Sequence, residues 1–207
     1  MAVTDLEGSW TPRRAKREAT RRAIMDALEV LLVSRSYQDV RVEDLMGAAG
    51  LTRTAFYRYF PDLESVLLAW VEIIGAEFRD AANRFLAREA DPVEGLFAAN
   101  LGLAHVWVRH RGLLRGVFDA ATTGSRVQAA WRQLIESFIV PVEQRIDELA
   151  RQGRTSLTDT EETARALVWM NERYFFETIA RDLGVSAENA ASTLADIWRR
   201  VLFAGQS

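Results

Sequence analysis

The feature that most constrains the fold is residues 42–60, with the sequence VEDLMGAAGLTRTAFYRYF. Apolar residues recur within 42–46 at i, i+3 and i+4, the spacing of a helix that buries one face. Gly50 then offers the left-handed backbone at which helices commonly end. Thr52 is a residue type that caps the next helix by accepting from its first amides. We therefore predict two short helices joined by a tight turn.

The second of these helices has two different faces. Phe56 and Phe60 recur at i, i+4 and are predicted to pack inward. The opposite face is polar, cationic and aromatic, and consists of Arg53, Thr54, Tyr57, Arg58 and Tyr59. A helix-turn-helix with such a face is suited to the major groove of DNA. Two short helices with a glycine turn also occur in helical proteins that do not bind DNA, so spacing alone leaves both interpretations open.

The charge distribution favours the DNA-binding interpretation. The net charge is −3, but residues 10–60 carry ten basic against six acidic residues, so the rest of the chain is acidic. A basic run directly precedes the helix-turn-helix and contains Arg13, Arg14, Lys16, Arg17, Arg21 and Arg22. We predict that this run meets phosphates or reaches a minor groove. The alternative is a solvated helix face.

The composition argues against several function classes. The chain has no cysteine, which excludes disulfides, thiol catalysis and Cys-ligated zinc. His105 and His110 are spaced i, i+5 and do not share a helical face, so no metal or other cofactor is predicted. We find no Ser/His/Asp order or phosphate loop, and predict that the chain is not an enzyme. No apolar run approaches the ~20 residues of a membrane span, and no signal peptide is visible, so a cytoplasmic protein is expected.

From about Ala15 onward the chain has helical periodicity, and we find no strand signal of any length, which predicts an all-α fold. The predicted helices beyond the short pair cover 15–36, 62–88, 93–110, 112–121, 125–151 with a kink at Pro141, 159–183 and 187–203. Residues before Pro12 have no periodic pattern and are expected to be flexible. Gly184 and Ser186 form a stop and a restart, so the last two helices are predicted to make an antiparallel hairpin. Two such hairpins can close into a dimer interface.

The stretch GLTRTAFYRYFPDLESVLLAW resembles the signature of the TetR family of bacterial transcriptional regulators. The matching residues are Gly50, Leu51, Thr52, Phe56, Tyr57, Phe60 and Pro61. The resemblance implies an all-α homodimer of about nine helices that binds a palindromic double-stranded DNA operator. It implies a three-helix DNA-binding domain over 13–61 and a ligand-binding and dimerisation domain over 62–207.

The resemblance also assigns DNA contacts by position. It implies base-edge contacts for Arg53, Thr54 and Tyr59, and phosphate contacts for Arg41, Thr52, Tyr57 and Arg58. Two positions depart from the family pattern. Leu63 stands where many members have a lysine, which removes one phosphate contact. Tyr59 stands where histidine is common, which changes the operator sequence that is read.

The C-terminal half resembles the EthR branch of this family, through WMNERYFF at 169–176 and DIW at 196–198. That branch keeps an apolar channel lined by aromatic residues, with an asparagine as its polar contact, and Asn171 matches that asparagine. Val168, Asn171, Glu172 and Phe176 share one helical face. A buried amide needs a partner, which a ligand carbonyl would supply. The predicted ligand-binding residues on other helices are Leu96, Asn100, Leu103, Phe118, Trp131 and Trp198. The alternative is an ordinary core in which Asn171 pairs within the protein.

The resemblance therefore predicts a transcriptional repressor that a small apolar ligand releases from its operator. The alternative is a small-molecule carrier or sensor with weakened DNA binding, which the leucine at position 63 favours.

Overall fold

The computed structural model describes residues 12–87, 91–121 and 126–204. Within these ranges the chain forms helices and no strand, which confirms the all-α prediction. The helices are α1 (Pro12–Leu32), α2 (Val42–Ala48), α3 (Arg53–Phe56), α4 (Leu63–Leu86), α5 (Pro92–Arg109), α6 (Arg111–Ala121), α7 (Arg126–Glu136), α8 (Ile139–Arg151), α9 (Thr160–Phe175) and α10 (Ala187–Leu202). The segment before Pro12 that was predicted to be flexible, the predicted helix ends at Arg88 and Ser125, and residues 205–207 lie outside the described residues.

Helices α1, α2 and α3 form an N-terminal head. Gly50 has a φ of 67°, so the predicted left-handed turn after α2 is present. Phe56 and Phe60 are buried, as their spacing predicts, together with Leu45 and Met46 of α2. Helix α1 begins and ends a few residues earlier than predicted. Its last carbonyls, on Leu32 and Val33, accept hydrogen bonds from the Arg115 guanidinium at 3.2 and 3.1 Å instead of continuing the helix.

Helix α4 is the long helix that joins the head to the rest of the chain. Asp62 caps its N-terminus by accepting from the backbone N–H of Ser65 at 2.8 Å. Its buried face includes Val66, Trp70, Ile74 and Phe78, in agreement with the predicted stripe. This face packs mainly against α5, and α5 in turn packs against α10.

The prediction of a single helix over 125–151 was wrong. The chain breaks at 137–138 between α7 and α8, and Ser137 Oγ donates to the carbonyl of Leu134 at 2.6 Å. Pro141 lies in the first turn of α8, where a backbone N–H has no helical partner to lose. The proline therefore fits a helix start and does not kink a longer helix.

The last two helices are arranged differently from the predicted hairpin. Helix α9 continues into a π-helical turn over Phe176–Ala180, so its α-helical part ends earlier than 183. Asp182 and Gly184 then take positive φ values of 59° and 74°. Ser186 caps α10 through Asn189 N–H at 3.2 Å, as predicted. Helix α10 packs chiefly against α5 and only lightly against α9.

No helix in the described ranges is both long and apolar enough to cross a membrane.

Candidate DNA-binding and ligand-binding sites

The predicted DNA-reading face is presented to solvent at the start of α3. Arg53, Thr54, Tyr57 and Arg58 are exposed, while Tyr59 is half-buried against the core of the head. Tyr59 therefore contributes packing in addition to any base contact. Thr52 occupies the N-cap position of α3 in extended conformation, but its side chain makes no capping hydrogen bond. The predicted hydroxyl cap is therefore wrong, and the Thr52 hydroxyl is exposed.

Two polar contacts position the arginine at the start of α3. The Arg53 guanidinium lies 2.8 Å from Glu43 Oε1 of α2, and both side chains are more than half exposed. Tyr57 and then Glu43 raise the pKa of Arg53 by a hydrogen bond and by charge attraction. Arg41 is exposed at the start of α2, where its backbone N–H donates to Asp44 Oδ2 at 3.0 Å. The structure thus brings Arg41, Arg53, Tyr57 and Arg58 to the exposed surface of the head.

The basic run before the helix-turn-helix is helical from Pro12 onward, within α1. Arg13, Arg14, Lys16 and Arg17 are exposed. The last two members of the run, Arg21 and Arg22, lie over aromatic rings, one in the head and one on α4. The Arg21 guanidinium lies 4.9 Å from the centre of the Phe60 ring, and that of Arg22 lies 4.7 Å from Trp70.

Helices α4–α10 form the C-terminal body of the protein. A small apolar cavity of about 80 Å³ lies in this body between α4, α5, α9 and α10, and α7 and α8 close it on one side. Its walls are almost entirely carbon, and six aromatic rings contribute to them. The lining residues are Phe78, Ala82, Phe85, Leu86, Leu96, Ala99, Asn100, Leu103, Trp107, Ile135, Phe138, Val142, Val168, Asn171, Glu172, Phe175 and Trp198.

Seven of the ten residues predicted to bind ligand line this cavity, namely Leu96, Asn100, Leu103, Val168, Asn171, Glu172 and Trp198. The other three do not. The rings of Phe118 and Phe176 stack on each other with centroids 3.6 Å apart, and the Arg173 guanidinium covers both. Trp131 lies behind the wall and contacts it through its indole N–H. Helical register alone does not distinguish residues that line the cavity from residues that lie just outside its wall.

Most of the aromatic lining was missed from sequence. Phe78, Ala82 and Phe85 follow one face of α4, and the spacing that reveals this face was available. The same spacing describes an ordinary core stripe, so it does not show where two packed helices leave a gap. Phe138 lies at the break between α7 and α8, which sequence analysis did not place.

Asn171 is part of a linear chain of hydrogen bonds within the cavity wall. Its Nδ2 donates to Asn100 Oδ1 at 2.8 Å, and its Oδ1 accepts from Trp198 Nε1 at 2.9 Å. Asn100 Nδ2 donates to the carbonyl of Leu96 at 2.8 Å. The Asn171 amide is therefore paired within the protein and does not need a ligand carbonyl. Its role as a ligand contact stays a prediction.

Glu172 is the polar group in the wall that is incompletely paired. Its Oε1 accepts from Trp131 Nε1 at 3.0 Å, but its Oε2 is buried with no hydrogen-bond partner among the described residues. The residue is only 5% exposed. Burial raises the pKa of this carboxyl, and the Trp131 hydrogen bond and the charge of Arg173 offset part of that effect.

The head and the body are joined by buried and half-buried polar contacts. His110, at the end of α5, places Nδ1 2.7 Å from Glu29 of α1 and Nε2 3.2 Å from Glu77 of α4. Trp70 Nε1 of α4 donates to the carbonyl of Met25 in α1 at 2.8 Å. These contacts join α1 to α4 and α5, two of the helices that line the cavity.

A further contact clamps the start of α4. The Arg126 guanidinium, at the start of α7, binds Asp62 and Glu64 at 2.8 Å each. Asp62 is also the cap of α4, so these charges hold α7 and the head side of α4 together.

Comparison with known proteins identifies the arrangement. The family model described as "Bacterial regulatory proteins, tetR family" matches residues 24–70. The model described as "Transcriptional regulator EthR, C-terminal domain" matches residues 98–204, more than half of the chain. The chain belongs to the TetR family, in its EthR branch. It is therefore a transcriptional regulator and not an enzyme, as the sequence predicts.

Individual proteins are also similar to this chain in sequence or in fold. The regulator EthR of Mycobacterium tuberculosis (strain CDC 1551 / Oshkosh) is 29% identical over 180 residues, which cover 85% of this chain and 83% of EthR. A putative TetR-family regulator from Syntrophomonas wolfei superposes with a TM-score of 0.74 at 14% identity, covering 92% of this chain and 97% of the other. AibR, solved with isovaleryl coenzyme A and operator DNA, superposes with a TM-score of 0.66 at 18% identity over 86% of this chain and 97% of AibR.

Proposed function

We propose that this TetR-family regulator is a homodimeric repressor that a small ligand releases from a palindromic operator. The observation that carries the proposal is an apolar cavity built against α4, a helix that is also bonded to the DNA-binding head. The AibR structure, with both a small molecule and operator DNA, supports the same pairing of sites. Because bacterial DNA lies in the cytoplasm, we place the regulator there.

The chain divides in function at the start of α4. We assign residues 13–61 to DNA binding and residues 62–207 to ligand binding and dimerisation. A ligand that fits only one arrangement of α4, α5 and α9 shifts the population toward that arrangement. Since Met25 and Glu29 of α1 are bonded to α4 and α5, this shift turns the head relative to the body. In a dimer, turning the heads changes their spacing away from the operator half-sites.

The dimer is supported by apolar side chains left at the surface of the last helices. Ile197 and Val201 lie one turn apart on α10 and are each 37% exposed, and Leu183 before α10 is 66% exposed. Burying such a surface against a second copy removes it from water. Light scattering at micromolar concentration tests this assignment, and a monomer there contradicts it.

For the DNA contacts, we assign base edges to Arg53, Thr54 and Tyr59 and phosphates to Arg41, Thr52, Tyr57 and Arg58. The exposure of six of these side chains on α2, α3 and the residues beside them supports the assignment. Phosphate contacts fix the register on DNA, while contacts to base edges select the sequence. Arg53 carries the largest share of selectivity, because an arginine can donate two parallel bonds to a guanine.

Replacing this arginine tests the reading face. Arg53→Ala is expected to weaken binding to the regulator's own upstream DNA by about ten- to a hundredfold, the usual cost of a lost base contact. A gel-shift titration measures the loss, and circular dichroism checks that the helices remain. Arg132→Ala is the matched control, because Arg132 is also exposed but lies on α7 and pairs with Glu136.

Two other results of the gel-shift titration contradict the proposal. Equal operator binding by Arg53→Ala and the wild type contradicts the assigned face. A wild type that binds no upstream fragment even at low salt favours the second candidate, a carrier or sensor with a weakened head. Leu63 favours that candidate, because it packs against the core at the position where many relatives have a lysine for phosphate.

Removing the charge of Glu43, the ion-pair partner of Arg53, is expected to strengthen DNA binding. Glu43→Gln frees the guanidinium and removes a negative charge that repels phosphates, so affinity for DNA should rise about two- to fivefold. Titration at two salt concentrations measures this gain, which should shrink at high salt. Weaker binding by this variant would show that Glu43 instead holds Arg53 in its reading position.

A further inference from the structure

The cavity wall contains a buried carboxyl oxygen without a hydrogen-bond partner. Glu172 of α9 is one of the residues that line the cavity, and its Oε2 is buried with no hydrogen-bond partner among the residues that the structure describes. A buried acceptor left unpaired destabilises a protein more than most lost contacts, and a charged one does so most. Because nearly all buried polar atoms in native structures are paired, an unpaired one calls for a specific explanation, such as a bound partner.

Nearby cations do not fill this role within the protein. The Arg173 guanidinium, on the same helix, lies at the exposed surface, where it covers the Phe118 and Phe176 rings and pairs with Glu177 at 3.4 Å. Its charge reaches Glu172 only through space. Trp131 satisfies the other oxygen of the carboxylate. Because Glu172 lines the cavity, a hydrogen-bond donor bound there is a partner from which Oε2 can accept.

The remaining wall is suited to a cation with an apolar body. Phe78, Trp107, Phe138, Phe175 and Trp198 line the same space. Aromatic faces attract cations, and the attraction grows when water is excluded. The cavity amides are already bonded to one another, so they offer little to an additional carbonyl.

We infer that the ligand is a small organic amine, bound as its ammonium ion, whose N–H donates to Glu172 Oε2 while its apolar part contacts the aromatic wall. This inference rests on the proposed function and specifies the ligand class. It differs from the neutral apolar ligand that the sequence predicts. An amine neutralises the carboxylate, so binding removes an unfavourable charge from the body.

The test compares three probes of similar shape on the intact protein without DNA. Phenethylamine carries the ammonium group, propylbenzene replaces it by a methyl group, and 3-phenylpropanoate replaces it by a carboxylate. Isothermal titration and the quenching of tryptophan fluorescence measure the affinities. We expect phenethylamine to bind at least about tenfold more tightly than either of the other two. Equal or tighter binding of propylbenzene or phenylpropanoate, or no binding by any probe, overturns the inference.

A matched pair of variants assigns the selectivity to one side chain. Glu172→Gln keeps the shape but removes the charge, and should lower the phenethylamine affinity about tenfold while leaving propylbenzene within about twofold. Glu161→Gln, on the exposed start of the same helix, should change neither. Unchanged selectivity in a folded Glu172→Gln protein also overturns the inference. Because the probes are measured without DNA, a failure of operator binding is seen separately in the gel shift.

Discussion

Gly112→Ala is expected to lower the free energy of unfolding by about 3 kcal/mol, although alanine is the better helix former. A Cβ at position 112 would lie 2.6 Å from the carbonyl oxygen and 2.8 Å from the carbonyl carbon of Leu32, and 3.1 Å from the nitrogen of Val33. These are backbone atoms at the end of α1, so no side chain can turn aside to make room. The start of α6 must move away from the head, which also weakens the bonds from Arg115 to the same carbonyls.

Thermal and urea unfolding measure this loss, and a fall in Tm of about 6–12 °C is expected. Gly47→Ala is the matched control, because Gly47 also lies in a helix but a Cβ there meets nothing within 4 Å. That variant should be as stable as the wild type or up to about 1 kcal/mol more stable. If the two alanine variants unfold alike, then the close approach of α6 to α1 does not hold the head in place.

Trp131→Phe is expected to destabilise the protein by about 2–3 kcal/mol at about pH 8, because it leaves both oxygens of the buried Glu172 carboxylate unpaired. The ring itself is largely kept, so its edge contacts with Phe78, Trp107 and Phe118 are retained in part. The indole N–H lowers the pKa of Glu172 against the effect of burial. Its loss therefore raises that pKa further.

The raised pKa of Glu172 fixes how the free energy of unfolding changes with pH. A carboxyl whose pKa is raised by folding imposes no penalty below its unfolded pKa of about 4.3, where both states are protonated. The penalty grows as the pH rises through the raised pKa of the folded protein. The stability difference between wild type and Trp131→Phe should therefore be smallest near about pH 4.5 and largest near about pH 8.

A double-mutant cycle separates the effect of the Glu172 charge from the other effects of Trp131→Phe. In a Glu172→Gln background the same Trp131→Phe change should cost less and should vary little with pH, because no carboxylate remains. Trp169→Phe, a half-buried tryptophan on α9, controls for ring size. A pH-independent difference between Trp131→Phe and wild type would mean that Glu172 stays protonated throughout, and would also weaken the case for an amine ligand.

The head was predictable because its signals are local. The apolar spacing of 42–46, the glycine turn at Gly50 and the buried pair Phe56 and Phe60 each concern residues within a few positions of one another. The local errors in the head include the Thr52 hydroxyl cap, because residue type gives a preference and not a rotamer. They also include the length of the second short helix, because α3 ends at Phe56 and residues 57–59 form a turn.

The body was less predictable because its site depends on gaps between helices distant in sequence. The helix register correctly placed Asn171 and Glu172 on one buried face, but it did not show which of them finds a partner. Asn171 is paired by Asn100, which is 71 residues away, and Trp198. The break before α8 also escaped prediction, because a proline suits both a kink and a first turn.

The contact between Arg53 and Glu43 bears on how the regulator searches a chromosome. In the free protein the Arg53 guanidinium lies 2.8 Å from a carboxylate oxygen of Glu43, so under the proposed assignment a guanine competes with this internal partner for the arginine. Many unrelated sequences lack a guanine in the right place, and there, under the same assignment, the arginine stays paired with Glu43. Residence on unrelated sequence should therefore be brief, and the molecule should move quickly between sites until a half-site captures the side chain.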